Sequence, residues 1–214
     1  IAVSQADKEV IQSYGARVEV VDNGVDIGYY SCAEGEIDPY SLIFTASFDT
    51  FSNQDGAVYF IKEIYPLIKQ KSPHIKLWLV GKEPPYYMKS IAQQDESIHV
   101  TGTVSDVRPY ITKACVCIVP LRIGGGSRLK ILEAFAMKKA VVSTSVGAEG
   151  LAITHGKNIM IADTPLAFAE NVMKCLLNAD LRSKLSEQGY SLVTNKYDWK
   201  ALANKQHIVW STLR

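Results

Sequence analysis

The sequence predicts an α/β fold: a Rossmann-like parallel sheet with helices on both faces, followed by C-terminal helices. Three observations predict it. Short apolar runs alternate with segments of helical period from Ser41 to Leu177, the pattern of βαβ units. Small or glycine residues recur where those runs end, at Ser47, Gly81, Gly102 and Gly124. Between Val119 and Gly150 a strand, a glycine-rich loop, a helix and a second strand follow one another directly, the unit from which nucleotide sites are built in such folds.

Taken in order, Val3 to Ala16 reads as a short helix with Ser4 as cap and Gly15 as stop. Val18 to Val21 reads as a strand, Asn23-Gly24 as a turn, and 29–40 as a loop or linker containing Gly35, Asp38 and Pro39. A strand is expected over Ser41 to Ala46. After the polar loop Ser47 to Asn53, the spacing of Val58, Ile61, Ile64, Leu67 and Ile68 predicts a helix over Gln54 to Lys71 with Asn53 as its cap. IKLWLVG is a strand ending at Gly81, with Trp78 read as core. Tyr86 to Gln94 is a helix, SIHVTG a strand ending at Gly102, Asp106 to Thr112 a helical turn or two, and Ala114 to Pro120 a further strand. After Gly150 come a short strand over Asn158 to Ala162 and a helix over Pro165 to Leu177. Leu181 to Leu213 forms two helices broken near Tyr197-Asp198, with Trp199, Leu202, Ile208, Trp210 and Leu213 assigned to packing.

Composition narrows the class. The chain has 214 residues, 47% apolar, with a formal net charge of +1. No basic field is present to attract a phosphate backbone, so nucleic acid is not expected as a partner. No run approaches a membrane span and no secretory leader is visible. Cys32, Cys115, Cys117 and Cys175 form no disulfide framework. Cys115 and Cys117 share one face of an apolar strand as small hydrophobes, which points to a reducing, cytoplasmic setting. No ligand set for a metal is apparent. His74, His99, His155 and His207 are scattered without a partner acid and read as structural.

The glycine loop carries the chemistry. Gly124, Gly125 and Gly126 let a ligand approach the backbone N–H groups. Arg128 and Lys130 fall in the expected first helical turn, where the macrodipole disfavours a cation by a few tenths of a kcal/mol, ~0.3 or more. A diphosphate at that terminus would accept the amides and pair with both cations. Glu133, three residues after Lys130, shares its face and suits the hydroxyls of a ribose. Asp49 and Asn53 are within reach of a phosphate or sugar, and Glu149 in GAEGL is a further carboxylate at a strand end.

VSQAD at the start, NGVD at 23–26, VGKEPP at 80–85, TGTVSDVRPY at 101–110 and PLRIGGGSRLKILEAFAMKKAVVSTSVGAEGL at 120–151 together resemble the C-terminal, donor-binding domain of a GT-B fold, family 4 (group 1) glycosyltransferase. The resemblance runs over nearly the whole chain. It implies that 1–16 is the last helix or linker of a missing N-terminal domain, that 17–196 is a Rossmann-like nucleotide-sugar-binding domain, and that 197–214 is a C-terminal helix. The opening on Ile1 without an initiator Met, inside a recognisable element, reads as a fragment of something longer.

The resemblance also implies roles. Glu133 matches the second Glu of the Glu-x7-Glu signature, which holds the ribose hydroxyls. Val104 and Asp106 match the loop against the base, and Ser127 to Leu129 the backbone beside the sugar and distal phosphate. Ser47, Asn53, Gly124, Gly125, Gly126, Ser127 and Leu129 thus join Val104 and Asp106 as donor-binding positions, with Arg128, Lys130 and Glu133 as the reacting-end set. Three positions depart from the family: Gly125 stands where the first signature Glu falls, and Ser47 and Gln54 stand where its Arg and Lys clamp the diphosphate. Arg128 and Lys130 are expected to supply that charge from the helix side, with Arg122 in reserve.

The implied activity is that of a retaining hexosyltransferase in polysaccharide biosynthesis. It would take a UDP-, GDP- or ADP-sugar as donor, with no separate cofactor, and a saccharide or lipid-linked acceptor. This fragment alone is expected to be inactive, and peripheral membrane association through the missing half is compatible with it. The alternative is a non-catalytic nucleotide-binding or interaction domain derived from the same fold. An epimerase or an NAD-dependent dehydrogenase fits less well, since GGGSR lacks the G-x-G-x-x-G spacing.

Overall fold

A computed structural model describes residues 1–31, 35–124 and 128–212. Cys32, Gly125, Gly126, Ser127 and Leu213, among the positions discussed above, lie outside the described residues. The described elements are α1 (Gln5–Gln12), α2 (Ile27–Tyr30), β1 (Asp38–Thr45), α3 (Phe51–Tyr59), a π-helical stretch (Phe60–Ile64), α4 (Tyr65–Lys71), β2 (Lys76–Val80), α5 (Tyr86–Gln94), β3 (Ile98–Val100), α6 (Arg108–Lys113), β4 (Ala114–Val119), α7 (Leu129–Ala136), β5 (Ala140–Ser143), β6 (Met160–Ile161), α8 (Pro165–Leu177), α9 (Ala179–Lys196) and α10 (Trp199–Ser211).

The strands form one parallel sheet in the order β3-β2-β1-β4-β5-β6. β4 and β5 are buried along their whole length, as strands covered on both faces must be. The chain steps outward from β1 to β3, then crosses to β4 and steps outward the other way. Right-handed crossovers therefore put α3 to α5 on one face and α6 and α7 on the other. α8 returns to the first face, packing on α4, and α9 lies on α7, where Gly189 admits the Phe135 ring. The order reverses between β1 and β4, and a crevice opens outside their carboxyl ends.

Several local expectations need correction. Val18 to Val21 is not a strand: among the described residues its backbone pairing is the single Ala2↔Val20 bridge, and no strand of the sheet extends that into a ladder. The segment read as a loop from residue 29 is entered by α2, capped by Asp26, whose Oδ1 accepts from Tyr29 N at 2.9 Å. Asn53 does not cap the next helix, which starts earlier at Phe51 with Thr50 at the cap position. That helix widens to π geometry over Phe60–Ile64 just before Pro66. Proline lacks the N–H of a regular turn and its ring crowds the carbonyl four residues back, so a wider turn relieves the clash.

Trp78 is half-buried rather than core, its ring stacked on His99 at 4.3 Å. On α10 only Leu202 is buried; Trp199, Ile208 and Trp210 stand exposed, Trp199 at 64%. The reason is geometric, because α10 touches the body at its first turn, where Val25 bridges to Asp198 and Gly24 lies beneath Trp199 and Leu202. Cys115, Cys117 and Cys175 are buried and free.

The loops after β1 and β2 are zipped together. Ala46 N donates to Val80 O at 3.0 Å and Phe48 N to Lys82 O at 2.9 Å. Gly81 makes this approach possible, since at φ +152° a Cβ on it would sit 1.7 Å from Ala46 O. That obstacle is backbone and cannot rotate away. Gly81→Ala is expected to cost more than ~1 kcal/mol. An unchanged urea-unfolding midpoint in that variant would show that the two loops are not clamped as described.

Candidate functional site

Two loops face each other across the crevice between β1 and β4. On the β1 side, residues 46–50 are held by their own polar groups. Ser47 Oγ donates to Asp49 Oδ1 at 2.5 Å, Thr50 Oγ1 donates to Ser47 O at 2.8 Å, and the Asn53 amide donates to Ser47 O and to Thr50 Oγ1, each at 2.7 Å. Asp49 also pairs with Lys82 at 3.2 Å. Ser47 and Asn53 are therefore on the rim, with the Ser47 hydroxyl engaged inside the loop.

On the β4 side, Arg128 is not in the first turn of α7. It is the N-cap residue, in the left-handed region at φ 52° and ψ 30°, a conformation that costs a non-glycine residue roughly 1 kcal/mol or more. That backbone turn folds the side chain inward. Its side chain is only 5% exposed, the guanidinium donating from Nη2 to Gly124 O at 2.9 Å and to Glu149 Oε2 at 3.2 Å. Gly124 itself has φ 107° and packs on Ser52, while Leu129 is exposed at the rim.

Lys130 does sit in the first turn, and it spans the crevice. Its Nζ donates to Asn53 Oδ1 at 2.7 Å and lies 4.9 Å from the centroid of the buried Phe44 ring. Burial, reinforced by the nearby Arg128 charge and opposed by Glu133, pushes its pKa down to about 8. Glu133, one turn further, shares this half-buried face. Burial raises its pKa, and hydrogen bonding from the Tyr30 hydroxyl and the Lys130 charge pull it back. Burial and the facing Glu133 in turn raise the Tyr30 hydroxyl. Two cations and one carboxyl are thus gathered where water is scarce, an arrangement that an anion would relieve.

Val104 and Asp106 lie on the loop after β3. The Asp106 carboxylate is committed locally: it accepts from Arg108 N at 2.9 Å and from Arg108 Nε and Nη2 at 2.7–3.0 Å. That clamp holds its pKa below the usual carboxylate range. Beside this loop, between α6 and the sheet, a cavity of about 430 Å³ is lined by Val104, Asp106, Trp78 and Tyr110. Arg122 is tied to Asp55, with Nε at 3.1 Å, and stacks 4.5 Å from the Tyr59 ring centroid. Among the described residues no cluster suited to a metal ion is present.

Sequence reasoning missed Lys82 and the whole of α2. Asp26 ahead of IGYY was a usable cap signal for α2. The lowered pKa of Lys130 predicts a stability signature. In the unfolded chain this lysine titrates near its ordinary value of 10.5, and in the folded chain near 8. Between those values the unfolded state binds the extra proton, so stability rises with pH across that window. Chemical denaturation between pH 7.5 and 10.5 checks this, and Lys130→Met should remove the rise.

The family described as Glycosyl transferases group 1 matches residues 39–178. Over 167 residues the chain is 26% identical to an uncharacterized 44.6 kDa protein in the cps region of Klebsiella pneumoniae, covering 75% of this chain and 43% of that protein. It thus spans less than half the length of that relative. Among solved structures, the C-terminal domain of a glycosyl transferase group 1 family protein from Francisella tularensis aligns with a TM-score of 0.66 at 22% identity, over 82% of this chain and all of that one. HepE from Anabaena, solved in complex with UDP and glucose, aligns with a TM-score of 0.75 at 17% identity, over 98% of this chain and 62% of that one. At such identities the structural likeness speaks to the fold.

Proposed function

The chain belongs to the glycosyl transferases group 1 family, and from that premise we propose that it is the donor-binding half of a retaining glycosyltransferase. The donor is a nucleoside diphosphate sugar carrying UDP, GDP or ADP; the acceptor is a saccharide or a lipid-linked saccharide. The single observation that carries this reading is the Lys130–Asn53 hydrogen bond of 2.7 Å across the β1/β4 crevice, with Arg128 and Glu133 on either side. A half-buried cation at a helix N-terminus is costly without an anion and is well placed to meet one.

In this reading the diphosphate lies at the start of α7, accepting from Lys130 and from the backbone N–H groups of the first turn of that helix. Arg128 adds charge from beneath. As the bond to the sugar breaks, negative charge grows on the leaving diphosphate oxygen, and these pre-oriented donors stabilise it more than they stabilise the bound donor. Glu133 holds the ribose hydroxyls and fixes the register of the nucleotide. The loop of Val104 and Asp106 lies against the base through its backbone, since the Asp106 carboxylate is already held by Arg108.

The acceptor side belongs to an N-terminal domain, and Trp199 and Trp210, exposed on one side of α10, offer it apolar contacts. Transfer then needs both halves, and this chain alone is inactive. The setting is cytoplasmic, in polysaccharide synthesis. Among the described residues no helix is long and apolar enough to cross a membrane.

A second reading, a nucleotide-binding domain without transfer chemistry, draws on Gly125 in place of the signature Glu and on the engagement of Arg128 with Gly124 and Glu149. Transfer from labelled UDP-, GDP- and ADP-sugars by the full-length protein separates the two.

Titration calorimetry with UDP, GDP and ADP tests the site. Replacing Arg128 and Lys130 together by alanine should weaken the tightest of the three by about 100-fold or more, since hydrogen bonds to charged groups contribute ~1.5–3 kcal/mol each. Unchanged affinity would remove both residues from the diphosphate site. Affinity should also fall as pH rises through about 8, where the free Lys130 loses its proton. A flat profile from pH 7 to 9.5 would mean that Lys130 does not meet the phosphate.

A further inference from the structure

Asn53 stands between the two walls of the crevice and bonds to both. It lies near the start of α3, half-buried. Its Nδ2 donates to Ser47 O and to Thr50 Oγ1, each at 2.7 Å, and its Oδ1 accepts from Lys130 Nζ at 2.7 Å. Thr50 Oγ1 can accept here because its own proton goes to Ser47 O at 2.8 Å. Only one orientation of the amide works. Turned over, its oxygen would face the Ser47 carbonyl and its NH2 an ammonium, so acceptor would meet acceptor and donor would meet donor. Both amide protons are thus spent inside the β1 loop. Asn53 therefore reaches an anion through Lys130, not by donors of its own.

We propose that Asn53 is a positioning residue for Lys130: anchored in the β1 loop by its amide, it holds the ammonium at the crevice by its oxygen and presents that charge to the diphosphate. This rests on the reading of Lys130 as the cation that meets the phosphate. Two features of the contact suit the task. A lysine side chain has many rotamers, and one already held at its tip has less freedom to lose when an anion arrives. The second feature is charge. A carboxylate at position 53 would hold the ammonium as firmly but neutralise it, whereas a neutral amide orients it and leaves its charge for the ligand. The Phe44 ring, its centroid 4.9 Å from Nζ, adds no formal charge either. The charges acting on Lys130 are Arg128 and Glu133. Of the acids on the surrounding elements, Asp49 pairs with Lys82, Asp55 with Arg122 and Glu149 with Arg128, and Tyr30 of α2 acts on Glu133.

The test uses the full-length protein and two substitutions of nearly the same shape as asparagine. Asn53→Leu removes the hydrogen bonds of the side chain; Asn53→Asp keeps an acceptor for Lys130 and adds a charge. Binding of UDP, GDP and ADP is followed by calorimetry from pH 7 to 9.5, with urea-unfolding midpoints as a check on folding. In wild type, affinity for the preferred nucleotide should decline as pH rises through about 8. Asn53→Leu should weaken binding about tenfold at pH 7 and move the decline down by about one pH unit, because the protonated lysine has lost its acceptor. Asn53→Asp should also weaken binding, but move the decline up by about one unit or more, because a carboxylate favours the ammonium. A merely structural role would weaken both variants without moving the decline in opposite directions. Should Asn53→Leu fold poorly, the upward shift in Asn53→Asp decides alone.

If the folded variants show no shift of the decline while Lys130→Met loses binding, the positioning role is wrong and the phosphate role of Lys130 stands. If Lys130→Met binds all three nucleotides as tightly as wild type, the phosphate reading of Lys130 falls and the positioning role with it.

Discussion

The reversal of strand order between β1 and β4 is the constraint on which the rest of the molecule depends. Strands on either side of that point send their crossovers to opposite faces, so no helix covers the carboxyl ends of the central pair. The loop after β1 and the N-terminus of α7 are left facing each other. Lys130 closes the gap with one hydrogen bond to Asn53, over the face of Phe44. Its desolvation is offset only in part by those partners and by Glu133, which is why its pKa drops to about 8. An anionic ligand would supply what the fold withholds.

The polar groups around the crevice divide into those consumed by the scaffold and those left beside the crevice. Ser47, Thr50 and the Asn53 amide build the β1 loop. Asp106 shapes the turn into α6 and holds Arg108. Arg128, forced into a left-handed cap, turns back into the loop it follows. Among the described residues, Lys130 and Glu133 on α7 stand half-buried beside the crevice. The division explains how a site can carry so many polar residues and still present few of them: each loop without regular backbone pairing must satisfy its own donors and acceptors first.

The sheet was legible in the sequence because its strands are short apolar runs with glycine or serine at their ends; β1, β2, β4 and β5 begin and end within a few residues of the runs that announce them. Helices with a strong stop or start signal, such as Tyr86–Gln94 and Pro165–Leu177, fall at their expected bounds. Segments that owe their structure to distant partners were not legible. Val18 to Val21 has the composition of a strand but no edge to join. α2 is too short to declare itself by period and is held by Arg108, almost eighty residues away in sequence. Trp199, Ile208 and Trp210 read as packing positions by composition, but they stand exposed on α10, which meets the body at its first turn.

The sequence by itself determined the parallel α/β class, the order of its elements and the placement of Gly124, Lys130 and Glu133 at a loop-to-helix junction, because these follow from local period, glycine position and spacing along one helix. Only the tertiary structure decided which parts meet: that Arg128 caps α7 in a left-handed turn instead of entering its first turn, that Lys130 is held by Asn53, and that α2 packs on α7. Burial depth, protonation and contact across the crevice depend on where the β1 and β4 loops lie relative to one another, and no pattern along a single strand or helix encodes that distance.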